Sequence, residues 1–296
     1  MFYHGVERRA AYGGEDSMNN IFKGAMAMDI LVTVDRNYLH PLAVMLKSLA
    51  LHHRGTPVRV FILHRSLLPE DFAALDRAVA EPGLELVSLP AGDSLLAGAP
   101  TTDRYPLEMY DRIFAARYLP QDLDRVLYLD PDLVVNGPLD DLWALDLEDN
   151  WFAAASHVAK GLELLNAVRL QSEAPGPYIN SGVLLMNLPL LRREQQLQPV
   201  ADYVEEHRHT LFLPDQDVIS ALYGDKILRL NPYRYNMTER LFAAAKLSPR
   251  GEMDLNWVWE NSRIIHYCGR NKPWKDNYLG QLDQFYHTYA QMLGQP

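Results

Sequence analysis

The part of this chain that most constrains its fold is residues 126–135, which read VLYLDPDLVV. An apolar run comes first, two aspartates separated by one residue follow, and a second β-prone run begins at once. In an extended segment, residues at positions i and i+2 point to the same side. If a strand ends here, Asp130 and Asp132 place two carboxylates where both could bind one divalent cation. Paired carboxylates suit Mg²⁺ or Mn²⁺ far better than Zn²⁺.

The Asp-x-Asp spacing alone is weak evidence for a metal site. It occurs twice more in this chain, at Asp122/Asp124 and at Asp215/Asp217, and such pairs arise by chance in a chain rich in aspartate. Only the setting favours residues 130 and 132, because a solvated acidic turn rarely follows an apolar run directly. A solvent-exposed acidic turn is the alternative interpretation.

The composition describes a globular protein and excludes several classes. Its 296 residues are 48% hydrophobic, enough for a sizeable core, and carry a formal net charge of −10. That charge argues against nucleic-acid binding, which needs a basic face. The single cysteine, Cys268, excludes an internal disulfide and is typical of a reducing compartment. Because no apolar stretch reaches 18 residues and no secretory signal is apparent, we expect a cytoplasmic protein without a transmembrane segment.

Residues 1–27 differ from the rest of the chain. They contain two glycines and two asparagines in tandem and lack any hydrophobic period. We predict that they form an N-terminal extension, and that residues 28–296 form one domain with a nucleotide-binding half and an acceptor half. No internal repeat, low-complexity tract or obvious linker divides these residues.

From residue 29 onward, the hydrophobic pattern alternates between strands and helices. In the first half it predicts strands over 30–34, 58–63, 84–87 and 125–129, and helices over 41–51, 69–79 and 107–119. In the second half it predicts strands over 151–155, 182–186, 227–230 and 263–266, and a loop or lid over 160–177. It also predicts helices over 189–209, with an interruption near Pro199, and over 217–223 and 278–293. This order indicates an α/β fold, with a mostly parallel central sheet and helices on both faces.

Three polar clusters follow predicted strands, namely residues 35–38, 130–132 and 266–274. Ligands of open α/β sheets bind beyond the carboxyl ends of the strands, so we expect the three clusters to meet at one sheet edge. A neutral His266 could complete the metal site, Gly269 would let the backbone approach a phosphate, and Lys272 would offset its charge. Each residue alone could equally be a strand-end histidine, a turn glycine or a surface lysine. Glycine-rich dinucleotide motifs, P-loops and the common zinc motifs are absent from the sequence.

Taken together, these motifs resemble glycosyltransferase family 8. This is a family of retaining transferases that includes bacterial lipopolysaccharide galactosyl- and glucosyltransferases and, more distantly, glycogenin. The resemblance covers about residues 28–289. Its motifs are DRNY at 35–38, YLDPD at 128–132, NSGVLLMN at 180–187, DQD at 215–217 and HYCGRNKPW at 266–274. It implies a GT-A fold, a UDP-hexose donor (UDP-glucose or UDP-galactose), Mn²⁺ or Mg²⁺ as cofactor, and a saccharide or glycolipid acceptor.

The resemblance also implies roles for individual residues. The nucleotide would be bound by Val34, Asp35, Asn37 and Tyr38, with Asp35 meeting the uracil and Tyr38 stacking on it. The metal would be held by Asp130, Asp132 and His266, and the diphosphate by Gly269 and Lys272. Arg112 would lie close to the donor sugar and phosphates. The catalytic residues would be Asn180, Asp215, Gln216 and Asp217, with the glutamine side chain near the anomeric carbon.

Each of these residues also has an ordinary structural interpretation. Asp35 and Asp215 could be helix N-caps, Tyr38 a hydrophobic staple, Arg112 a helix-surface residue and Asn180 a turn residue. Retention with no well-placed carboxylate nucleophile favours a front-face, leaving-group-assisted substitution over a double displacement.

Two positions depart from the family pattern. His157 stands where galactosyl members have an aspartate, and Arg104 stands where some members have a histidine. The resemblance therefore assigns neither the hexose nor the acceptor. Two other functions are alternatives: a sugar nucleotidyltransferase, and a non-catalytic sugar-nucleotide binder on the same scaffold. A homo-oligomeric state and peripheral contact with the inner membrane are left open.

Overall fold

The computed structural model describes residues 27–92, 95–96, 108–158, 160–172, 176–247 and 253–294. The expected N-terminal extension, apart from residue 27, and Arg104 lie outside these ranges, so the predictions for them stay predictions. Across the described residues, no helix combines the length and the apolar character needed to span a membrane.

Strands are found in the following order along the described chain. They are β1 (Met28–Thr33), β2 (Val58–His64), β3 (Leu84–Pro90), β4 (Arg125–Leu129), β5 (Leu133–Val135), β6 (Phe152–Ala155), β7 (Val183–Asn187), β8 (Ile227–Leu230) and β9 (Ile264–His266). Seven of them form a central sheet in the order β3-β2-β1-β4-β7-β6-β8, while β5 and β9 form a separate two-stranded sheet.

The orientation of β7 decides where the loops of the central sheet meet. Strands β3, β2, β1 and β4 run parallel, and β6 runs parallel to β8. Strand β7 is antiparallel to both of its neighbours, with Val183 opposite Leu129 of β4. The residues before β7 therefore reach the same edge as the residues after β4 and β6. The sheet is mostly parallel, as the sequence predicts.

Helices cover both faces of this sheet. They are α1 (Leu39–His52), α2 (Pro69–Val79), α3 (Glu108–Asp111), α4 (Ala115–Tyr118), α5 (Asp140–Trp143), α6 (Lys160–Arg169), α7 (Leu188–Glu194), α8 (Leu197–Glu206), α9 (Pro214–Tyr223), α10 (Pro232–Tyr235), α11 (Glu239–Lys246), α12 (Leu255–Asn261) and α13 (Asp283–Ala290).

Several helical segments differ from the sequence-based prediction, and helices α5, α10, α11 and α12 were not predicted. The loop predicted over 160–177 was wrong in its first part, because α6 contains strong helix formers such as three leucines, and the prolines lie beyond it. The helix predicted over 107–119 is divided, since Arg112–Phe114 form a 3-10 turn between α3 and α4. The interruption predicted near Pro199 in the helix over 189–209 is confirmed, because the helix ends at Glu194 and resumes at Leu197. Pro199 falls in the first turn of the second piece, where its missing N–H is tolerated.

The core lies on both faces of the central sheet. Along β4, Val126 and Tyr128 face one hydrophobic cluster, whereas Leu127 and Leu129 face another, and all four are fully buried. A third cluster packs around the small β5–β9 sheet. Strands buried on both faces explain the nearly continuous apolar runs of the sequence. They also make the end of β4 a rigid platform for the residues that follow it.

A buried histidine ties α1 to the start of α5. His53 is 4% exposed, and its Nε2 accepts a hydrogen bond from the backbone N–H of Leu139 at 3.2 Å. An N–H only donates, so this nitrogen carries no proton in the folded protein. Burial lowers the pKa of His53 from 6.5, against a smaller opposing effect of Asp140. Its contribution to stability is therefore present above pH 6.5 and is lost as the pH falls through the folded pKa.

We predict that His53→Gln weakens the dependence of stability on pH in this range. A glutamine oxygen accepts from the Leu139 N–H but does not titrate. Urea unfolding between pH 8 and about pH 5 should give a smaller loss of unfolding free energy for the variant than for the parent protein. Identical pH profiles for the two proteins would show that His53 does not stay neutral in the folded state.

Candidate functional site

Three chain segments meet at the edge of the central sheet where β4 and β6 end. Asp130 follows β4, His157 follows β6, and residues 180–182 precede the antiparallel β7. Backbone hydrogen bonds hold them together: Asp130 N donates to Gly182 O at 2.9 Å, and Asn180 N donates to Ala155 O at 2.8 Å. This edge is where α/β sheets commonly bind ligands.

Asp130, Asp132 and His266 form a compact cluster at this edge. Their potential ligand atoms lie within 4.8 Å of one another. His266 Nε2 is 3.1 Å from Asp132 Oδ1 and 3.5 Å from Asp130 Oδ2. Burial alone would lower the pKa of His266, but the two carboxylates raise it to about 10. The cluster thus stabilises positive charge between its two carboxylates.

The route by which His266 reaches the aspartates differs from our expectation. We expected every cluster to follow a strand of one sheet, which was wrong for His266, because β9 belongs to the small second sheet, where it pairs with β5. The chain leaves the central sheet after Leu129, turns through residues 130–132 and enters β5 at Leu133. Antiparallel pairing of Leu133 with His266 then places the histidine beside the aspartates.

Lys272 neutralises the second aspartate. Asp132 is 9% exposed, and its Oδ2 forms a close ion pair with Lys272 Nζ, which also donates to Tyr267 O at 2.9 Å. Burial acts to raise the pKa of Asp132, but Lys272 and His266 outweigh burial and hold it well below its usual range. The carboxylate is therefore charged at neutral pH although it is nearly buried.

Arg112 neutralises the first aspartate. Its Nη1 lies 2.8 Å from Asp130 Oδ1, which also accepts from the Tyr128 hydroxyl at 2.7 Å. The guanidinium carbon sits 4.5 Å from the centre of the Tyr128 ring. The same Nη1 is 3.2 Å from Asp215 Oδ2, which accepts from Ser181 Oγ at 2.7 Å. Arg112 therefore links the cluster of Asp130, Asp132 and His266 to the start of α9. It is not a helix-surface residue.

Because Gly182 has no side chain, the side chains of His266 and Asp130 can occupy the space beside it. A Cβ atom at this position would lie 2.2 Å from His266 Cε1 and 2.6 Å from Asp130 Oδ2. Any side chain here would have to displace both groups. The glycine of the NSG segment is thus required by packing against the cluster.

Asn180 and Gln216 lie beside the cluster, on its α9 side. Asn180 Nδ2 donates to Gln216 Oε1 at 3.4 Å, and Asn180 Oδ1 accepts from the Gly182 N–H at 3.2 Å. Asn236, which the sequence-based analysis did not single out, connects this pair to His266: its amide contacts Asn180 Oδ1 at 2.9 Å and His266 Nδ1 at 3.0 Å. Asn236 follows neither a strand nor a charged motif, so no sequence signal marked it.

His157, which follows β6, contacts Asn236 as well. Its Nε2 lies 2.9 Å from the backbone oxygen of Asn236. Burial lowers the pKa of His157 to about 4, and the nearby His266 adds to the effect. The ring is therefore neutral at pH 7 and offers one further polar atom, its Nδ1.

Asp217 occupies a different place from its neighbours Asp215 and Gln216. Its carboxylate accepts from Arg169 Nη2 at 2.8 Å, from the Tyr178 hydroxyl at 2.7 Å and from the Phe212 N–H at 2.8 Å. These contacts tie α6 to the start of α9. Both oxygens of this fully buried carboxylate are committed to the fold.

The expected nucleotide-binding residues lie on the β1 side of the cluster. Asp35 Oδ1 accepts from the Asn37 N–H at 2.9 Å and so caps the 3-10 turn over Arg36–Tyr38. Lys272 Nζ lies 5.8 Å from the centre of the Tyr38 ring. Val34, the residue directly after β1, is buried. Gly269, with φ of +91°, adopts a backbone conformation that other residues rarely tolerate.

Comparison with known proteins gives relatives that align over nearly the whole chain. General stress protein A of Bacillus subtilis is 25% identical, over 88% of this chain and 92% of its own length. Lipopolysaccharide 1,2-glucosyltransferase of Escherichia coli is 28% identical, over 86% of this chain and 76% of its own. A crystal structure of the galactosyltransferase LgtC, in complex with donor and acceptor sugar analogues, is 26% identical with a TM-score of 0.76. It is matched over 90% of this chain and 96% of that chain.

The family model described as glycosyl transferase family 8 matches residues 29–278. The match takes in every strand and all but the last helix of the described chain, together with each cluster of the site. The chain therefore belongs to glycosyltransferase family 8, with the GT-A fold.

Proposed function

We propose that this protein transfers a hexose from a UDP-sugar, UDP-glucose or UDP-galactose, to a saccharide or glycolipid acceptor, with retention and with a divalent cation. The observation that carries the proposal is the convergence of Asp130, Asp132 and His266 beside Lys272. The relatives support the reaction class, since one transfers glucose in lipopolysaccharide and another is a galactosyltransferase. A role in lipopolysaccharide or other cell-surface glycan synthesis follows from the same comparison.

The residues of the cluster fit a hard divalent cation. Two carboxylates and one imidazole supply oxygen and nitrogen ligands of the kind that Mn²⁺ accepts, and Mg²⁺ is the alternative. The missing side chain of Gly182 leaves the ligand atoms room to converge. Asp130, Asp132 and His266 would hold the ion. When bound, it would supply positive charge to the diphosphate of the donor as that group departs.

The nucleotide would lie on the β1 side of the cluster. Val34, Asp35, Asn37 and Tyr38 would bind the uridine, with Tyr38 stacking on the uracil. Lys272 and the backbone at Gly269 would bind the diphosphate. Lys272 would then exchange Asp132 for a phosphate oxygen, which a flexible lysine stem permits.

The hexose would lie on the α9 side, against Arg112, Asn180, Asp215 and Gln216. Asp215 is engaged by Arg112 and Ser181, and Asp217 is engaged by Arg169, so neither carboxylate is presented as a nucleophile. This supports a front-face substitution. The acceptor hydroxyl oxygen would bond to the anomeric carbon, the bond from that carbon to the phosphate oxygen would break, and the hydroxyl proton would pass to the departing phosphate.

We predict that UDP binding depends on the cation. At a hundredfold excess over Kd, UDP should stabilise the protein by about 2.7 kcal/mol with Mn²⁺ and far less with EDTA. Asp132→Asn should remove most of this stabilisation, because an amide keeps the shape and loses the charge. The measurement is the thermal midpoint with and without UDP, Mn²⁺ and EDTA.

Asp124→Asn is the matched control, because Asp124 belongs to a second Asp-x-Asp pair and is exposed. It should behave as the parent protein does. Equal stabilisation by UDP with and without divalent metal would contradict the proposal, and so would equal effects of the two substitutions.

We predict that Gly182→Ala disturbs the same binding through packing. The new methyl group would meet the His266 ring and the Asp130 carboxylate, so Mn²⁺-dependent UDP binding should weaken by tenfold or more, a loss of about 1.4 kcal/mol. Gly92→Ala is the control, since nothing lies within 4 Å of a Cβ there. Isothermal titration with UDP and Mn²⁺ measures both, and an unchanged affinity for Gly182→Ala would mean that the cluster does not bind the cation.

We predict that His157 influences the choice of hexose. A neutral histidine offers one donor and one acceptor, whereas an aspartate accepts from two hydroxyls. His157→Asp should therefore change the ratio of UDP release from UDP-glucose and UDP-galactose. His157→Gln, which can still donate to the Asn236 oxygen, should change that ratio less. A constant ratio across the three proteins would place His157 away from the sugar.

A further inference from the structure

Asn236 is fully buried at the point where the two halves of the site meet. It follows α10, and its N–H donates to Pro232 O at 3.0 Å. The next residue lies along β9: Met237 N donates to Ile264 O at 3.0 Å, and His266 N donates to Met237 O at 2.7 Å. Backbone pairing thus fixes Asn236 beside His266 before any side-chain contact is considered.

Besides Pro232, Asn236 has three polar partners, which come from three different segments of the chain. The side-chain Oδ1 lies 3.0 Å from His266 Nδ1, the side-chain Nδ2 lies 2.9 Å from Asn180 Oδ1, and the backbone oxygen lies 2.9 Å from His157 Nε2. One residue therefore contacts a candidate metal ligand, a candidate sugar-binding residue and a candidate specificity residue.

The direction of these hydrogen bonds is fixed by one backbone group. The Gly182 N–H can only donate, so the atom that it meets on Asn180 at 3.2 Å is the amide oxygen. That oxygen in turn requires an N–H from Asn236, which leaves the Asn236 oxygen facing His266. Since an amide oxygen only accepts, His266 Nδ1 carries a hydrogen.

The consequence for His266 is that Nε2, and not Nδ1, is the nitrogen that would give up its proton when a cation binds. With the hydrogen held on Nδ1, the lone pair of a neutral ring lies on Nε2, the nitrogen that faces Asp130 and Asp132. A hydrogen bond to the far nitrogen is the usual device by which a histidine is oriented for a metal.

The consequence for Asn180 concerns the other side of the site. With its oxygen held by Gly182 and Asn236, the Asn180 amide directs its Nδ2 toward Gln216 Oε1 at 3.4 Å. A change at Asn236 would free Asn180 to rotate, and the Gln216 side chain would lose its hydrogen bond to Asn180.

We propose that Asn236 is a positioning residue that acts through opposite ends of one amide: its oxygen orients His266 toward the cation, and its N–H orients Asn180 and Gln216 toward the donor hexose. The inference rests on the proposed function and deepens it, because it couples cation binding to the alignment of the sugar. Asn236 itself contacts neither ligand in this scheme.

Two substitutions separate the two ends of the amide. Asn236→Asp keeps an oxygen for His266 Nδ1 and loses the donor to Asn180. Asn236→Leu keeps the volume and loses both. Asn136→Leu is the matched control, because Asn136 is likewise a buried asparagine, whose Nδ2 donates to backbone oxygens including Ser262 O at 3.0 Å, outside the site.

The experiment measures Mn²⁺ affinity by electron paramagnetic resonance in the presence of UDP, together with kcat and KM for the sugar donor. Asn236→Leu should weaken Mn²⁺ binding by about 10- to 100-fold and lower kcat. Asn236→Asp should retain the Mn²⁺ affinity and lower kcat by about tenfold or more with little change in KM. Asn136→Leu should lower the thermal midpoint and leave Mn²⁺ affinity unchanged.

The outcomes test the proposed function and the role of Asn236 separately. A parent protein that binds UDP without any dependence on Mn²⁺ would overturn the proposed function and this inference with it. If the parent protein binds Mn²⁺ with UDP, then an unchanged Asn236→Leu, or equal losses for Asn236→Leu and Asn136→Leu, would overturn the inference alone. If Asn236→Leu does not fold, Asn236→Asp provides the test of the inference. A loss of Mn²⁺ affinity in Asn236→Asp that parallels its loss of kcat would overturn the inference.

Discussion

The rest of the site depends on keeping two charged carboxylates side by side with little access to water. Burying one carboxylate is costly, and burying two like charges together is more so, unless each is paired. Asp130 is paired with Arg112, Asp132 is paired with Lys272, and His266 lies between them. These groups come from three separate parts of the chain, so only the folded protein brings the paired charges together.

The antiparallel orientation of β7 brings a further segment of the chain to the sheet edge where the aspartates lie. In a purely parallel sheet, only the residues that follow strands would reach the ligand-binding edge. Because β7 is antiparallel to β4 and β6, the segment that precedes it comes to that edge as well. Residues 180–182 therefore lie against Asp130, and Gly182 is the position where this approach leaves no room for a side chain.

Sequence patterns predicted the strands well, because apolar runs report burial on both faces of a sheet. They also placed the aspartates at the end of β4 and grouped Asp130, Asp132 and His266. They could not predict which strands pair, so the separate β5–β9 sheet was not foreseen. Helix α6 was missed because nearby prolines were taken to govern the whole segment. Asn236 was missed because its importance arises from three long-range hydrogen bonds, which leave no local pattern.

The most direct test of the central claim is the position of a manganese ion in crystals of the protein grown with UDP and Mn²⁺. Anomalous diffraction at the manganese edge locates the ion without reference to the protein's ligands. We predict one peak about 2.0–2.3 Å from carboxylate oxygens of Asp130 and Asp132 and from His266 Nε2, with Lys272 turned from Asp132 to the diphosphate. UDP bound with no peak at these three residues, or a peak held by other side chains, would contradict it.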